Sequence, residues 1–235
     1  MKALALAVAA GALLVSPAGH VAAQEAPAPA VTATAAGIPL DSSWRRAVHE
    51  HATTHLQHPS WGVRHAERNY VLGLGLAEAE GLPVDGDVLF AAAFLHDWGG
   101  IAPFAVAGMD HAARSVELAE PFLTDAGFPM TKFPAVRAAI LGHMYDKEPE
   151  GPEAIVLHDA DALDFLGALG AARLLAATGD APDYDLALRR IERFAADIPP
   201  RLKTTAAREM AASRVAVMTD FLAEVRRETP KGAKP

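Results

Sequence analysis

Eight consecutive apolar residues, Val88 to Leu95, run directly into His96-Asp97 (VLFAAAFLHD). A helix that is apolar on every face is buried on every face, so the rest of the chain has to be arranged around it. The flanking sequence supplies that surround. Asp41 and Ser42 can cap a helix over Trp44 to Leu56, which ends before Pro59. A second is expected from Trp61 to Glu80, stopped by Gly81-Leu82-Pro83, and Asp85 or Asp87 then caps the central helix, Val88–His96. Asp110 caps His111–Ala126, and Gly127 and Pro129 separate that helix from Phe133–Met144. A polar loop, Asp146 to Pro152, leads into Glu153–Leu169 and on to Thr178 as one helical stretch. Asp183–Ala196 and Thr204–Arg227 follow, with Pro199-Pro200 between them. No segment alternates as a strand does, so the expectation is all-α, a compact bundle of roughly eight helices over residues 40–228.

The ends read differently. Residues 1–23 carry Lys2, an apolar run from Ala3 to Val15, and Val21-Ala22-Ala23 before Gln24, the layout of a secretory signal peptide. The run is short of the ~20 residues that cross a bilayer, so export to the periplasm or medium is expected, with no membrane span after cleavage. Residues 24–39, rich in Ala, Pro and Thr, read as a flexible leader, and 229–235 as a disordered tail. A formal net charge of −8 provides no basic field for phosphate backbones, so nucleic-acid binding is not expected. The absence of cysteine removes disulfides, thiolate metal sites and thiol catalysis; ten histidines remain as the nitrogen donors from which a metal site can be built.

Placed on these helices, six residues stand out: His65, His96, Asp97, His111, His143 and Asp161. An ionised carboxylate at the end of LFAAAFL must be paired or coordinated. A divalent metal does this fully, and Gly99-Gly100 offers the backbone freedom to turn two adjacent ligands toward one ion. Mixed imidazole and carboxylate donors suit Mn, Fe, Co, Ni or Zn. With Asp97 bridging, His111 and His143 could hold a second ion, a pairing that activates water and neutralises charge on a phosphoryl group. Asp110 and Asp159 read as caps or loop residues.

His65, His96-Asp97 and Asp161 form an H…HD…D series that resembles the HD superfamily of metal-dependent phosphohydrolases, with AAAFLHDWGG and LHDADALDFLG as the matching surroundings. The resemblance runs from about Trp61 to Arg173, and HPSWG (58–62) looks like a feature of a bacterial branch, a secreted one given the layout of residues 1–23. It implies an HD-domain-like helical bundle. It implies one metal held by His65, His96, Asp97 and Asp161, with His111 and His143 for a second, the ions being Mn, Fe, Co, Ni, Zn or Mg. Two departures matter: Trp98-Gly99-Gly100 follows HD, where many members carry an apolar residue, Gly and a basic residue, and no GYP follows His143, which argues against the cyclic-di-GMP-hydrolysing branch.

The function expected is hydrolysis of a small-molecule phosphate mono- or diester by metal-activated water, with Asp97 orienting the metal and receiving a proton. Arg68, Arg64, Arg114 and Lys147 are candidate phosphate contacts. Two other readings are open: a di-iron oxygenase on the same ligands, and a non-catalytic metal-binding exported protein. The last rests on His51, His55 and His58 (HEHATTHLQH), whose i, i+4 and i+7 spacing places them on one helical face.

Overall fold

The computed structural model describes residues 32–177 and 184–231. The expected signal peptide, 1–23, lies outside the described residues. The chain enters through a tight turn in which Leu40 N–H donates to the Thr32 carbonyl and Thr34 N–H to that of Ile38. Ile38 and Leu40 are buried, so the fold begins before the boundary expected at residue 40, because these two apolar side chains find a place in the core. The described residues then form nine α-helices joined by turns and loops: α1 Ser43–His55, α2 Val63–Glu80, α3 Gly86–Leu95, α4 His111–Ala126, α5 Phe133–Gly142, α6 Pro152–Asp164, α7 Gly167–Ala176, α8 Tyr184–Asp197 and α9 Thr205–Glu228. None of these helices is long and apolar enough to cross a membrane.

The caps are local, and all but Thr204, expected as the first residue of its helix, come from residues expected to cap. Ser42 accepts from Arg45 N–H, Asp85 from Asp87 and Val88 N–H, Asp110 from Ala113 N–H and Thr204 from Ala207 N–H. Each satisfies an orphan donor at a helix start. α3 is the hub: every residue from Val88 to Leu95 is buried, with α1, α2, α5 and α6 packed around it.

The single helix expected from Glu153 to Thr178 is broken. α6 stops at Asp164, Phe165 and Leu166 close a tight turn onto Ala162 and Leu163 carbonyls, and Gly167 adopts φ +79 before α7. A Cβ at Gly170 would sit 2.2 Å from the Phe165 backbone, so α7 folds back against the end of α6. α2 likewise starts at Val63, not Trp61, because the His58–Gly62 segment turns tightly: Gly62 N–H donates to the His58 carbonyl.

Candidate metal centre

Six side chains from five helices converge at the C-terminal end of α3. His65 comes from the first turn of α2, His96 and Asp97 from the end of α3, His111 from the start of α4, His143 from the end of α5, and Asp161 from α6. His65 Nε2 lies 3.0 Å from Asp161 Oδ1 and 3.6 Å from Asp97 Oδ2, while His96 Nε2 is 3.2 Å from the same Asp97 oxygen. The other Asp97 oxygen faces His111 and His143 Nε2, each at 3.7 Å. Asp97 therefore stands between two three-residue clusters, His65–His96–Asp97 and Asp97–His111–His143, each with its ligand atoms within 4.8 Å of one another.

Three of the four imidazoles have their outer nitrogen fixed. His96 Nδ1 meets the Ala93 carbonyl at 2.9 Å, His143 Nδ1 the Ile140 carbonyl at 2.6 Å, and His65 Nδ1 the Asp164 carboxylate at 2.7 Å. Each acceptor selects the tautomer with the proton on Nδ1 and leaves Nε2 as a lone pair pointing inward. The inward nitrogens face one another, 3.3 Å between His65 and His96 and 3.1 Å between His111 and His143. Two lone pairs in such a contact repel unless a proton or a metal cation lies between them. Imidazole and carboxylate donors arranged this way fit a divalent transition ion.

The carboxylates and histidines also set one another's protonation. Burial alone would lower the His96 pKa, but the Asp97 and Asp161 carboxylates outweigh it and push it up to about 9. His143 is pushed down to about 4, by burial first and then by the charge of His96. Burial opposes ionisation of Asp97 and Asp161 as well, yet the surrounding histidines hold both well below the usual carboxylate range.

Asp164, absent from the expected ligands, orients the centre. It binds His65 Nδ1, takes Arg68 Nε and Nη2 at 2.8 Å each, and pairs with Arg173 Nη1 at 2.8 Å. Its signal was present in DADALD: Asp161 and Asp164 are three residues apart and share a helical face. Asn69, one turn after His65, lies with Nδ2 3.1 Å from His65 Nε2 and 3.4 Å from Asp161. Ser115 fixes the HD corner, accepting from Gly99 N–H and donating to the His96 carbonyl.

Other expectations change. Gly99 and Gly100 do not have positive φ; a Cβ on Gly99 would come 2.4 Å from the His111 carbonyl and 2.6 Å from Ser115 N, so glycine is there for close approach of α4, not for backbone freedom. Arg68 is bound bidentately to Asp164, and Arg114 is held by the Phe104 carbonyl and Glu117, so neither stands free as a phosphate contact. Arg64 lines a cleft beside His65, and Lys147 lies 4.0 Å from Asp110, next to His111. Asp159 is neither loop nor cap of its own helix: it is buried in α6 and accepts from Lys203 and Thr204 at the start of α9. The His51–His55–His58 face is not formed, since α1 ends at His55; His58 stacks on Trp61 at 3.7 Å and His51 packs on Trp98 at 4.1 Å.

Among curated proteins none matches. Solved structures match in fold: a predicted HD-superfamily hydrolase from an uncultured Thermotogales bacterium is 25% identical with a TM-score of 0.55, covering 79% of this chain and 90% of that one. A Lactobacillus plantarum protein is 23% identical with a TM-score of 0.62, covering 79% and 96%. Bacillus subtilis YpgQ, solved in complex with ADP, is 22% identical with a TM-score of 0.58, covering 80% and 96%. The HD domain family model matches residues 62–166, the span that contains all six converging residues and Asp164. Residues 62–166 of the chain thus match the HD domain.

Proposed function

We propose that this protein is a metal-dependent hydrolase of phosphate mono- or diesters. The observation that carries the reading is the inward-facing Nε2 atoms of four histidines on either side of one shared carboxylate, Asp97. His65, His96, Asp97 and Asp161 would hold one ion, and Asp97, His111 and His143 a second. A bound divalent ion supplies a water of lowered pKa and a Lewis acid for phosphoryl oxygens.

The chain's own residues do the rest. Asp164 keeps the His65 proton on Nδ1, and the Ala93 and Ile140 carbonyls do the same for His96 and His143. Asp97, with its side chain 19% exposed, is the proposed acceptor for a proton released from the attacking water, while Asp161, at 4%, is enclosed. That YpgQ was solved with ADP supports a phosphate-bearing ligand on this fold. The signal-peptide layout of residues 1–23 supports a reaction outside the cytoplasm.

The test is metal content of protein purified without chelator, beside Asp97→Ala, followed by p-nitrophenyl phosphate and bis-p-nitrophenyl phosphate as substrates. Metal near two per chain in wild type is expected, with loss of metal and a fall in hydrolysis on the order of a hundredfold or more in the variant. Tightly held iron with oxygen consumption and no phosphoester cleavage would favour the oxygenase instead. Metal-replete protein inert toward both would overturn the reading.

A further inference from the structure

Asn69 sits one helical turn after His65, on the face of α2 that packs against α3 and α6, and it is fully buried. The helices approach closely here. Four residues further along the same face, a Cβ on Gly73 would stand 3.2 Å from Leu89 Cδ2 and 3.6 Å from Val156 Cγ2. A polar side chain held in such a place has to find its partners inside the protein. The carboxamide finds them at one end only. Nδ2 lies 3.1 Å from His65 Nε2 and 3.4 Å from Asp161 Oδ1, while no donor meets Oδ1.

The nitrogen end is the one that faces the metal ligands. His65 donates through Nδ1 to Asp164, so its Nε2 carries a lone pair to which an Asn69 N–H can donate. An ion on Nε2 uses that lone pair and makes the contact repulsive, with an amide hydrogen directed at a cation. A half-turn about Cβ–Cγ removes the conflict, because the amide oxygen and nitrogen exchange places with little other change. No donor holds the oxygen on its present side, so the turn breaks no hydrogen bond there. It brings an oxygen among donors whose separations suit one ion. His65 Nε2 is 3.0 Å from Asp161 Oδ1 and 3.3 Å from His96 Nε2, which is 3.2 Å from Asp97 Oδ2. Donors bound to a common transition ion stand about 3.0 to 3.4 Å apart, and the inner amide position keeps the same spacing.

We infer that Asn69 is a fifth ligand of the ion on the His65 side, its carboxamide oxygen turned inward beside His65, His96, Asp97 and Asp161. The other half of the centre is the more open one: the His111 side chain is 30% exposed, whereas His65, His96 and Asp161 are buried. Five donors under cover make the His65 side the tight, slowly exchanging site and leave exchange with solvent to the Asp97–His111–His143 side. The inference rests on the metal centre of the proposed function and not on the bond that the centre cleaves.

Cobalt(II) is the probe, added to the full chain stripped of metal, in wild type, Asn69→Leu and Asn69→Asp. Leucine nearly matches asparagine in shape and offers no donor, and aspartate restores an oxygen. The visible absorption of the first equivalent reports the ligands around the ion, and competition with a chelator gives its affinity. In Asn69→Leu the bands should shift and the affinity fall about 10- to 100-fold, while Asn69→Asp binds at least as tightly as wild type. Weaker binding in Asn69→Leu with unchanged bands would mean that the amide only steadies His65, which overturns ligation. So does an Asn69→Asp variant that binds no more tightly than Asn69→Leu. If Asn69→Leu does not fold, unchanged bands with no gain in affinity in Asn69→Asp overturn it instead. A wild type that takes up no cobalt removes the metal centre and this ligand together. Cobalt bound as expected in all three proteins, with no phosphoester cleaved by the loaded wild type, sinks the hydrolase reading alone.

Discussion

Asp164 is the residue on which the most interactions meet. One carboxylate fixes the His65 proton, holds Arg68 by both oxygens and pairs with Arg173, all with its own side chain 3% exposed. Burial opposes its ionisation, but His65 and Arg68 hold it well below the usual carboxylate range. Removing the charge leaves two arginines without their anion, and breaking such a buried network costs about 3 kcal/mol. It also frees His65 to turn its proton toward the metal. Asp164→Asn is therefore expected to lose stability of that order and to weaken metal retention roughly 10- to 100-fold, measured by denaturant unfolding and by competition with a chelator. Unchanged metal affinity in a folded variant would mean that His65 is oriented by something else.

At the scale of elements, two junctions decide how the helices meet. The start of α9 is capped from outside: Asp159 in α6 accepts from Lys203 N–H, Thr204 N–H and the Thr204 hydroxyl. Burial works against the Asp159 anion, but His158, Lys203 and Thr204 outweigh it, so the pKa is lowered on folding. A carboxyl with a lowered folded pKa contributes stability that is complete above its unfolded value, roughly pH 4, and is lost as pH falls through the folded one. Unfolding midpoints measured from pH 6 to pH 2 should show a shallower acid limb in Asp159→Asn than in wild type; parallel limbs would contradict the assignment. The second junction is Gly99 against α4. An added Cβ meets backbone at His111 and Ser115, which cannot yield as a side chain does. Gly99→Ala should displace the start of α4 and His111 with it, so that elemental analysis finds metal falling from two ions toward one while His65, His96 and Asp161 keep theirs.

For the whole molecule, the converging ligands tie α2 through α6 together at one point, with residues 96 positions apart between His65 and Asp161. Any ion bound only by the folded arrangement stabilises it by mass action, about 2.7 kcal/mol at a free concentration a hundred times Kd. Thermal melting of stripped protein should therefore rise as Mn or Zn is added, and Asp97→Ala should show no such rise, because both clusters share that carboxylate. A rise of equal size in the variant would move the metal elsewhere.

What the sequence determined by itself was whatever depends on near neighbours. The uniformly apolar Val88–Leu95 dictated a central buried helix, Ser42 and Asp110 marked helix starts through side chains that cap their own first turn, and His96-Asp97 announced a charged pair that needed partners. The break after Asp164 was hidden because the apolar pattern runs on through Phe165 and Leu166, and only the close packing of Gly170 on the Phe165 backbone ends the helix there. Tertiary structure alone decided which imidazole nitrogen faces inward, that Arg68 is bound to Asp164, and that Asp159 serves a helix it does not belong to. Each of these depends on an angle and a distance between segments far apart in the chain, fixed by how whole helices pack, and no local propensity contains that information.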